Sequence, residues 1–262
     1  MAGELVFITG ATGHIGFKTL VIALQAGFNV RAAVRSEAKS SQILSAPSIK
    51  ALNPGSKLSF VVVPDLNAEG AYDEAVKGAT YIIHIASPIV MKGEIIPENY
   101  KTELIDPAVA DTVSVLKAAA KTTGIKRVVI TSSIVALIEP KWLLEQEPPM
   151  GMVFDHNSRS QFPEGPYPTD FHAYNAGKIA ALEATEAFIR DNKVNFDVTN
   201  INPSFIIGKN ELVTNAEDFM MGTNLVALGV VLGKSVPYPV FGSSVHVDDG
   251  KHSLIHLLLA IF

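Results

Sequence analysis

Glu4-Leu-Val-Phe-Ile-Thr9-Gly10-Ala-Thr-Gly13-His-Ile-Gly16 opens the chain with an apolar run that breaks into three glycines spaced G-x-x-G-x-x-G. The run reads as a strand near 4–9 and the residues after it as a helix near 14–27, so the glycines occupy the turn between them. Such a turn offers unpaired backbone N–H groups, and the positive end of a helix dipole, to a phosphate. Gly10 permits the tight turn, Gly13 lets the backbone approach the phosphates, and Gly16 lets helix and strand pack closely. Thr12, His14 and Ile15 complete the loop and count with the glycines as phosphate-side residues. The spacing is one residue longer than the G-x-G-x-x-G fingerprint, and a purely structural turn has the same composition.

Outward from this turn, short β-branched runs alternate with longer helical patterns, as expected of a parallel sheet covered on both faces. The spacing predicts strands near 4–9, 28–34, 57–63, 79–86, 126–132 and 195–201. Helices are predicted near 14–27, 36–45, 69–77, 98–123 and 170–192. Asp106-Pro107 reads as an N-cap followed by proline at the first helical position, so the fourth helix starts, or restarts, at 107. Gly27, Gly78 and Gly124 stand where helices should stop. The interval 137–170 breaks the rhythm: it is rich in proline, mixed in charge, and holds the single tryptophan, Trp142. It reads as a long irregular excursion at the active-site edge. Beyond 208 a helical stretch near 216–230, a loop at 233–244 and a final helix from about 249 are expected. The organisation is therefore α/β: a doubly wound parallel sheet over 1–208, then a partial substrate lobe over 209–262 interleaved with the last sheet elements.

Composition narrows the function. Of 262 residues 48% are hydrophobic, and mean hydropathy is +0.27, yet no apolar stretch reaches the roughly 18 residues of a membrane span. The N-terminus runs straight into a strand, without a basic region or a small-residue cleavage site, which predicts a cytoplasmic protein with no membrane partner. With no cysteine, disulfides, thiolate metal ligands and a cysteine nucleophile are excluded. A net charge of −5 leaves no whole-chain footprint for nucleic acid. His252 and His256 share a predicted helix face, but the histidines form no H-E-x-x-H motif and no metal site is expected. The apolar end, Leu257-Leu-Leu-Ala-Ile-Phe262, calls for a covering surface, which a second copy would supply in a homodimer.

The second predicted strand ends Val30-Arg-Ala-Ala-Val-Arg35-Ser36. NAD enzymes place an acid there for the ribose 2′-hydroxyl, whereas an arginine suits a 2′-phosphate. Arg35, with Lys39 a turn later, would supply a fork and a point charge, although two solvated surface cations give the same pattern. Asp65 and Leu66 follow the third strand, placed either for an adenine edge or as the cap of the next helix. His84-Ile-Ala86-Ser87-Pro88 closes the fourth strand with small residues that let a cofactor approach the backbone. Far downstream, Tyr174 and Lys178 lie one helical turn apart, so both project from one face. An ammonium there would stabilise the phenolate and lower the tyrosine pKa toward working pH. Thr131-Ser132-Ser133 delivers hydroxyls to the carboxyl edge of the sheet.

Together these motifs, with Pro64-Asp65 and Asn202-Pro203, resemble the extended short-chain dehydrogenase/reductase family over essentially the whole chain. The resemblance is greatest to the dihydroflavonol reductase branch and the fungal methylglyoxal and aldehyde reductases. It implies a Rossmann fold, NADP(H), and reduction of a small-molecule aldehyde or ketone by a Ser–Tyr–Lys mechanism. On that reading Ser133 hydrogen-bonds the carbonyl, Tyr174 donates the proton, and Lys178 holds the nicotinamide ribose and tunes Tyr174. Pro203 lines the nicotinamide pocket, and Ser132 is the competing choice for the serine, because alternate strand positions face opposite ways. The chain departs from the family in two respects. Gly177 replaces the serine usual before the lysine and is expected to pack against the cofactor. Relatives also continue for several tens of residues beyond Val245-His-Val-Asp248-Asp249, which leaves the lobe either truncated or small. Two alternatives stay open: a nucleotide-sugar epimerase or dehydratase, and a non-catalytic NADP(H)-binding protein. Trp142, Phe154, Phe171, Phe205 and Tyr238 read either as the walls of a moderately hydrophobic substrate pocket or as core.

Overall fold

The computed structural model describes residues 3–88, 95–144, 150–215, 218, 222–233 and 244–249. Six parallel strands form one sheet: β1 (Leu5–Thr9), β2 (Asn29–Val34), β3 (Leu58–Val62), β4 (Tyr81–His84), β5 (Arg127–Thr131) and β6 (Asp197–Ile201). Their spatial order is β3-β2-β1-β4-β5-β6, the doubly wound dinucleotide-binding order, whose switch point lies between β1 and β4. A second sheet pairs β7 (Phe205–Ile207) in parallel with β8 (Ser244–His246). The helices are α1 (His14–Gln25), α2 (Glu37–Ser45), α3 (Pro47–Leu52), α4 (Asp106–Lys121), α5 (Pro140–Leu144), α6 (Asp170–Asp191) and α7 (Asn224–Val231).

The central strands are apolar on both faces because helices cover both. Along β1 the side chains alternate: Val6 and Ile8 join Phe17, Leu20 and Ile49 on one side. Phe7 joins Tyr72, Val76, Val115 and Leu116 on the other. The ladder of β4 stops at His84 rather than 86, because the next two N–H groups, of Ile85 and Ala86, donate to the Thr9 hydroxyl instead.

Two predicted helices come out differently. Residues 69–77 form a chain of turns, bonded Ala71 to Ala68 and Asp73 to Gly70, although Tyr72, Ala75 and Val76 are buried with the expected periodicity. Gly70 sits at φ +71°, in the left-handed region, and interrupts the helical path. The interval 98–123 divides into a 3₁₀ turn at Pro97–Asn99, a π turn at Lys101–Ile105, and α4. Asp106 is not an N-cap: its backbone is helical, and its carboxylate receives the Lys101 ammonium. The short helix α3 has no counterpart in the sequence pattern; Pro47 in its first turn starts it after Ala46. Within the stretch expected to be helical near 216–230, α7 begins at Asn224, directly after a turn at Gly222 and Thr223. Residues 247–249 are helical as well. The rest of the final helix, His252, His256, Tyr238 and the Leu257–Phe262 run lie outside the described residues.

Two glycines decide local packing. A Cβ on Gly16 would lie 2.0 Å from the Gly10 carbonyl oxygen, and one on Gly10, at φ +71°, 2.7 Å from the Ala86 nitrogen. Gly177 faces α4 and the π turn, its virtual Cβ 3.5 Å from Ala108 Cβ and 3.7 Å from Ile105 Cα. Its neighbours are thus these helical residues, which corrects the expectation of packing against a cofactor. Gly16→Ala is expected to lower stability by about 3 kcal/mol or more, since backbone cannot yield; urea unfolding measures it. Gly177→Ala adds a methyl at ordinary contact distance and removes a helix-interior glycine, so it should stabilise by roughly 0.5–1 kcal/mol. A lower unfolding midpoint for that variant would contradict the packing described.

Candidate active site

The carboxyl ends of β1, β4, β5 and β6 converge on one edge of the sheet. At β1 the chain turns through Gly10 to Gly13, whose backbone N–H donates to the Gly10 carbonyl at 2.9 Å. No side chain caps α1 and no acid occupies its first turn, so its own residues leave its positive end unneutralised. Thr12 and Gly13 border this turn, and Ile15 packs on the core. His14 contributes its backbone there, but its imidazole is turned to the backbone of Lys209 and Gly208. Burial pushes that imidazole below its ordinary pKa, with the same backbone groups opposing.

The Thr9 hydroxyl fastens the neighbouring strand end. It accepts the Ile85 and Ala86 N–H groups at 3.1 Å each and lies 2.9 Å from His84 Nδ1. Ala86 and Ser87 therefore run directly beside the glycine turn. Arg35 and Lys39 are exposed at the end of β2 and the start of α2; Lys39 Nζ donates to Gln42 Oε1 at 3.2 Å. Asp65 is exposed and its Oδ1 accepts the Asn67 N–H at 2.9 Å, closing a local turn, while Leu66 packs against the core. The cradle fits a dinucleotide phosphate: Gly10 and Gly16, where a Cβ would strike main chain, let the turn pack tightly on β1 and the end of β4, and an uncapped helix end faces outward.

Around β5 the two serines face different ways. Ser133 Oγ accepts the Val135 N–H at 3.5 Å, starting a 3₁₀ turn, and its hydroxyl lies near enough to Tyr174 to draw the phenol pKa down. Ser132 lines a small cavity on the other side, with His84, Thr131 and Lys178. Lys178 Nζ donates to the Thr131 carbonyl at 3.0 Å and stands 5.9 Å from the Tyr174 ring centre. The Pro203 carbonyl accepts the Ile134 N–H at 3.0 Å, tying the loop after β6 to the serine turn. Ser133, Tyr174, Lys178 and Pro203 thus meet at one strand edge.

Electrostatically the pair departs from expectation. Burial pushes the Tyr174 phenol above its ordinary range, and the nearby Ser133 hydroxyl, rather than Lys178, opposes this. The Lys178 ammonium is itself brought down to about 8 by burial, against the pull of the Asp111 carboxylate. Phe171 stacks on Tyr174 and on Phe205 at 6.2 and 6.3 Å between centres. Trp142 lies instead under the Lys141 ammonium, 4.9 Å away, and Phe154 is half-buried in the excursion.

Sequence reasoning missed a buried polar chain beneath the site. The Tyr72 hydroxyl donates to Asp111 Oδ1 at 2.5 Å, and Asp111 Oδ2 lies 3.9 Å from His84 Nε2. The signal was available: Asp111 is a lone acid among the buried positions Ala108, Thr112, Val115 and Leu116 of α4. Among the described residues, no group of three or more His, Cys, Asp or Glu gathers to hold a metal, and no helix is long and apolar enough to cross a membrane.

Comparison with known proteins bears on this geometry. A family model described as the NAD dependent epimerase/dehydratase family matches residues 6–244. The chain is 40% identical to the NAD-dependent epimerase/dehydratase ALT6 of Alternaria alternata, covering 97% of this chain and 72% of that protein. It is 38% identical to the ketoreductase CTB6 of Cercospora nicotianae, over 95% of this chain and 70% of the relative. Among solved structures, Gre2 of Candida albicans in complex with NADPH superposes with a TM-score of 0.83 at 25% identity, covering 98% of this chain and 75% of that one. The glycine turn, the sheet order and these matches agree: the chain belongs to the NAD dependent epimerase/dehydratase family, the extended short-chain dehydrogenases/reductases.

Proposed function

We propose that this protein reduces an aldehyde or ketone to an alcohol with NADPH, through Ser133, Tyr174 and Lys178. The observation that carries the reading is the meeting of Ser133, Tyr174 and Lys178 at the end of β5, with Lys178 anchored on the Thr131 carbonyl one helical turn from Tyr174. When bound, NADPH supplies the hydride. Tyr174 donates the proton that the carbonyl oxygen gains, and a phenol held above its ordinary pKa keeps that proton at neutral pH. Ser133 hydrogen-bonds the same oxygen. Lys178 holds the ribose and places positive charge beside the forming phenolate.

The cofactor rests on Gly10, Thr12, Gly13, His14, Ile15 and Gly16 at the pyrophosphate, His14 through its backbone. Ala86, Ser87 and Pro203 flank it farther in, Asp65 and Leu66 stand at the adenine side, and Arg35 with Lys39 receives the 2′-phosphate. The named relatives support this: one is called a ketoreductase, and Gre2 binds NADPH. Residues 209–262 contribute the substrate side over the dinucleotide-binding part at 1–208. The aromatic ladder of Phe171 and Phe205 beside Tyr174 favours a carbonyl with an apolar flank.

A sugar-nucleotide epimerase is the second reading, favoured by the name of the 40% identical relative. Arg35 at the end of β2, where an NAD enzyme carries an acid, weighs against it.

NADPH oxidation across a panel of aldehydes, 1,2-dicarbonyls, β-keto esters and aryl ketones tests the activity. Ser133→Ala should lower kcat at least about a hundredfold, and Ser132→Ala much less; the reverse order would exchange their roles. Arg35→Ala should weaken NADPH binding roughly tenfold or more, one charged hydrogen bond or better, while NADH binding stays unchanged. Equal losses for both coenzymes, read by fluorescence titration, would remove Arg35 from the 2′-phosphate.

A further inference from the structure

Asp111 is buried in α4, 2% exposed, among apolar and small neighbours. A carboxylate so placed is costly unless hydrogen bonds and charge compensate it. Tyr72 gives it one short hydrogen bond, to Oδ1. Its other oxygen faces His84 Nε2. The protonation of that imidazole follows from Thr9: its hydroxyl oxygen already accepts two N–H groups, so its own proton goes to His84 Nδ1. His84 is then the neutral tautomer carrying its proton on Nε2, which lies 3.9 Å from Asp111 Oδ2, beyond hydrogen-bond distance. Burial, which pushes the His84 pKa down, acts in the same sense.

His84 and Lys178 share the walls of a cavity of about 10 Å³, room for one water molecule. The groups facing Lys178 are the His84 imidazole from β4, the Thr131 carbonyl and Ser132 from β5, Asn200 from β6, and Tyr174 on its own helix. His84 and Tyr174 are neutral at working pH. Asp111, from α4, is the one anion acting on the ammonium among the described residues. It is itself pushed up by burial and pulled down by the Tyr72 hydrogen bond and by the charges of Lys178 and Arg35.

We propose that Asp111 is a positioning residue for Lys178: the buried Tyr72–Asp111–His84 chain sets a carboxylate behind the lysine and holds it in its charged form. The consequence for turnover rests on the reductase reading above; the electrostatic coupling does not. Lys178 loses its proton as pH rises through its pKa, so removing the carboxylate moves that loss to lower pH.

The coupling is measured in the cofactor-free protein with ¹³C-labelled lysine, following the Lys178 Cε resonance, identified by its disappearance in Lys178→Arg. The wild-type midpoint is expected near 8. Asp111→Asn, close to isosteric, should lower it by about one pH unit. Tyr72→Phe removes the hydrogen bond that favours the Asp111 carboxylate and should move the midpoint the same way by less, which keeps the test open if Asp111→Asn does not fold. In turnover, the alkaline limb of kcat should shift down with the Asp111→Asn midpoint while KM holds. An unmoved Lys178 midpoint in the folded variants overturns the proposal. A shifted midpoint in a protein whose wild type reduces no carbonyl leaves the coupling standing and overturns the reductase reading instead.

Discussion

The oxygen of Gly10 occupies the space that any side chain at position 16 would need, and the backbone of Ala86 does the same for position 10. Strand β1, helix α1 and the end of β4 meet at this contact with main chain touching main chain. The glycine turn can therefore face outward with a helix terminus free of side-chain caps, where an anion finds N–H groups. The Thr9 hydroxyl completes the junction by gathering the first two N–H groups beyond β4. Those groups are lost to the ladder, so the strand stops and the chain leaves the sheet beside the cradle.

The fold was legible because the strands of a two-faced parallel sheet are continuously apolar and the helices between them are amphipathic. All six strands of the large sheet fall where the pattern puts them, within two residues at each end. The failures share a cause. At 69–77 the buried residues recur at helical spacing, but one glycine with positive φ converts the segment into turns, and periodicity does not see backbone dihedrals. The split of 98–123 into 3₁₀, π and α turns, with Asp106 inside the helix, likewise depends on hydrogen-bond register rather than residue type. Composition does not report that register.

For the candidate site, spacing brought out the Tyr174–Lys178 pair but not its electrostatics. One helical turn suggested an ammonium acting on a phenol. Instead the ammonium is drawn to a strand-end carbonyl, and the phenol answers to burial and Ser133. Nor could spacing distinguish two adjacent serines, since the strand end that orients them was uncertain by a residue. The buried acid at 111 stood in plain view, yet its partners come from segments 27 and 39 residues earlier, His84 and Tyr72. Only the folded sheet brings them together.

The bond from Lys178 to the Thr131 carbonyl joins a side chain of α6 to the last residue of β5. One residue on, the Ser132 N–H is held by Ile201 at the end of β6. Amide exchange at Ser132 therefore samples the same local opening that would release the lysine. The lysine and the serine turn would come apart as one cooperative unit with the β5–β6 edge, and not by independent side-chain motion.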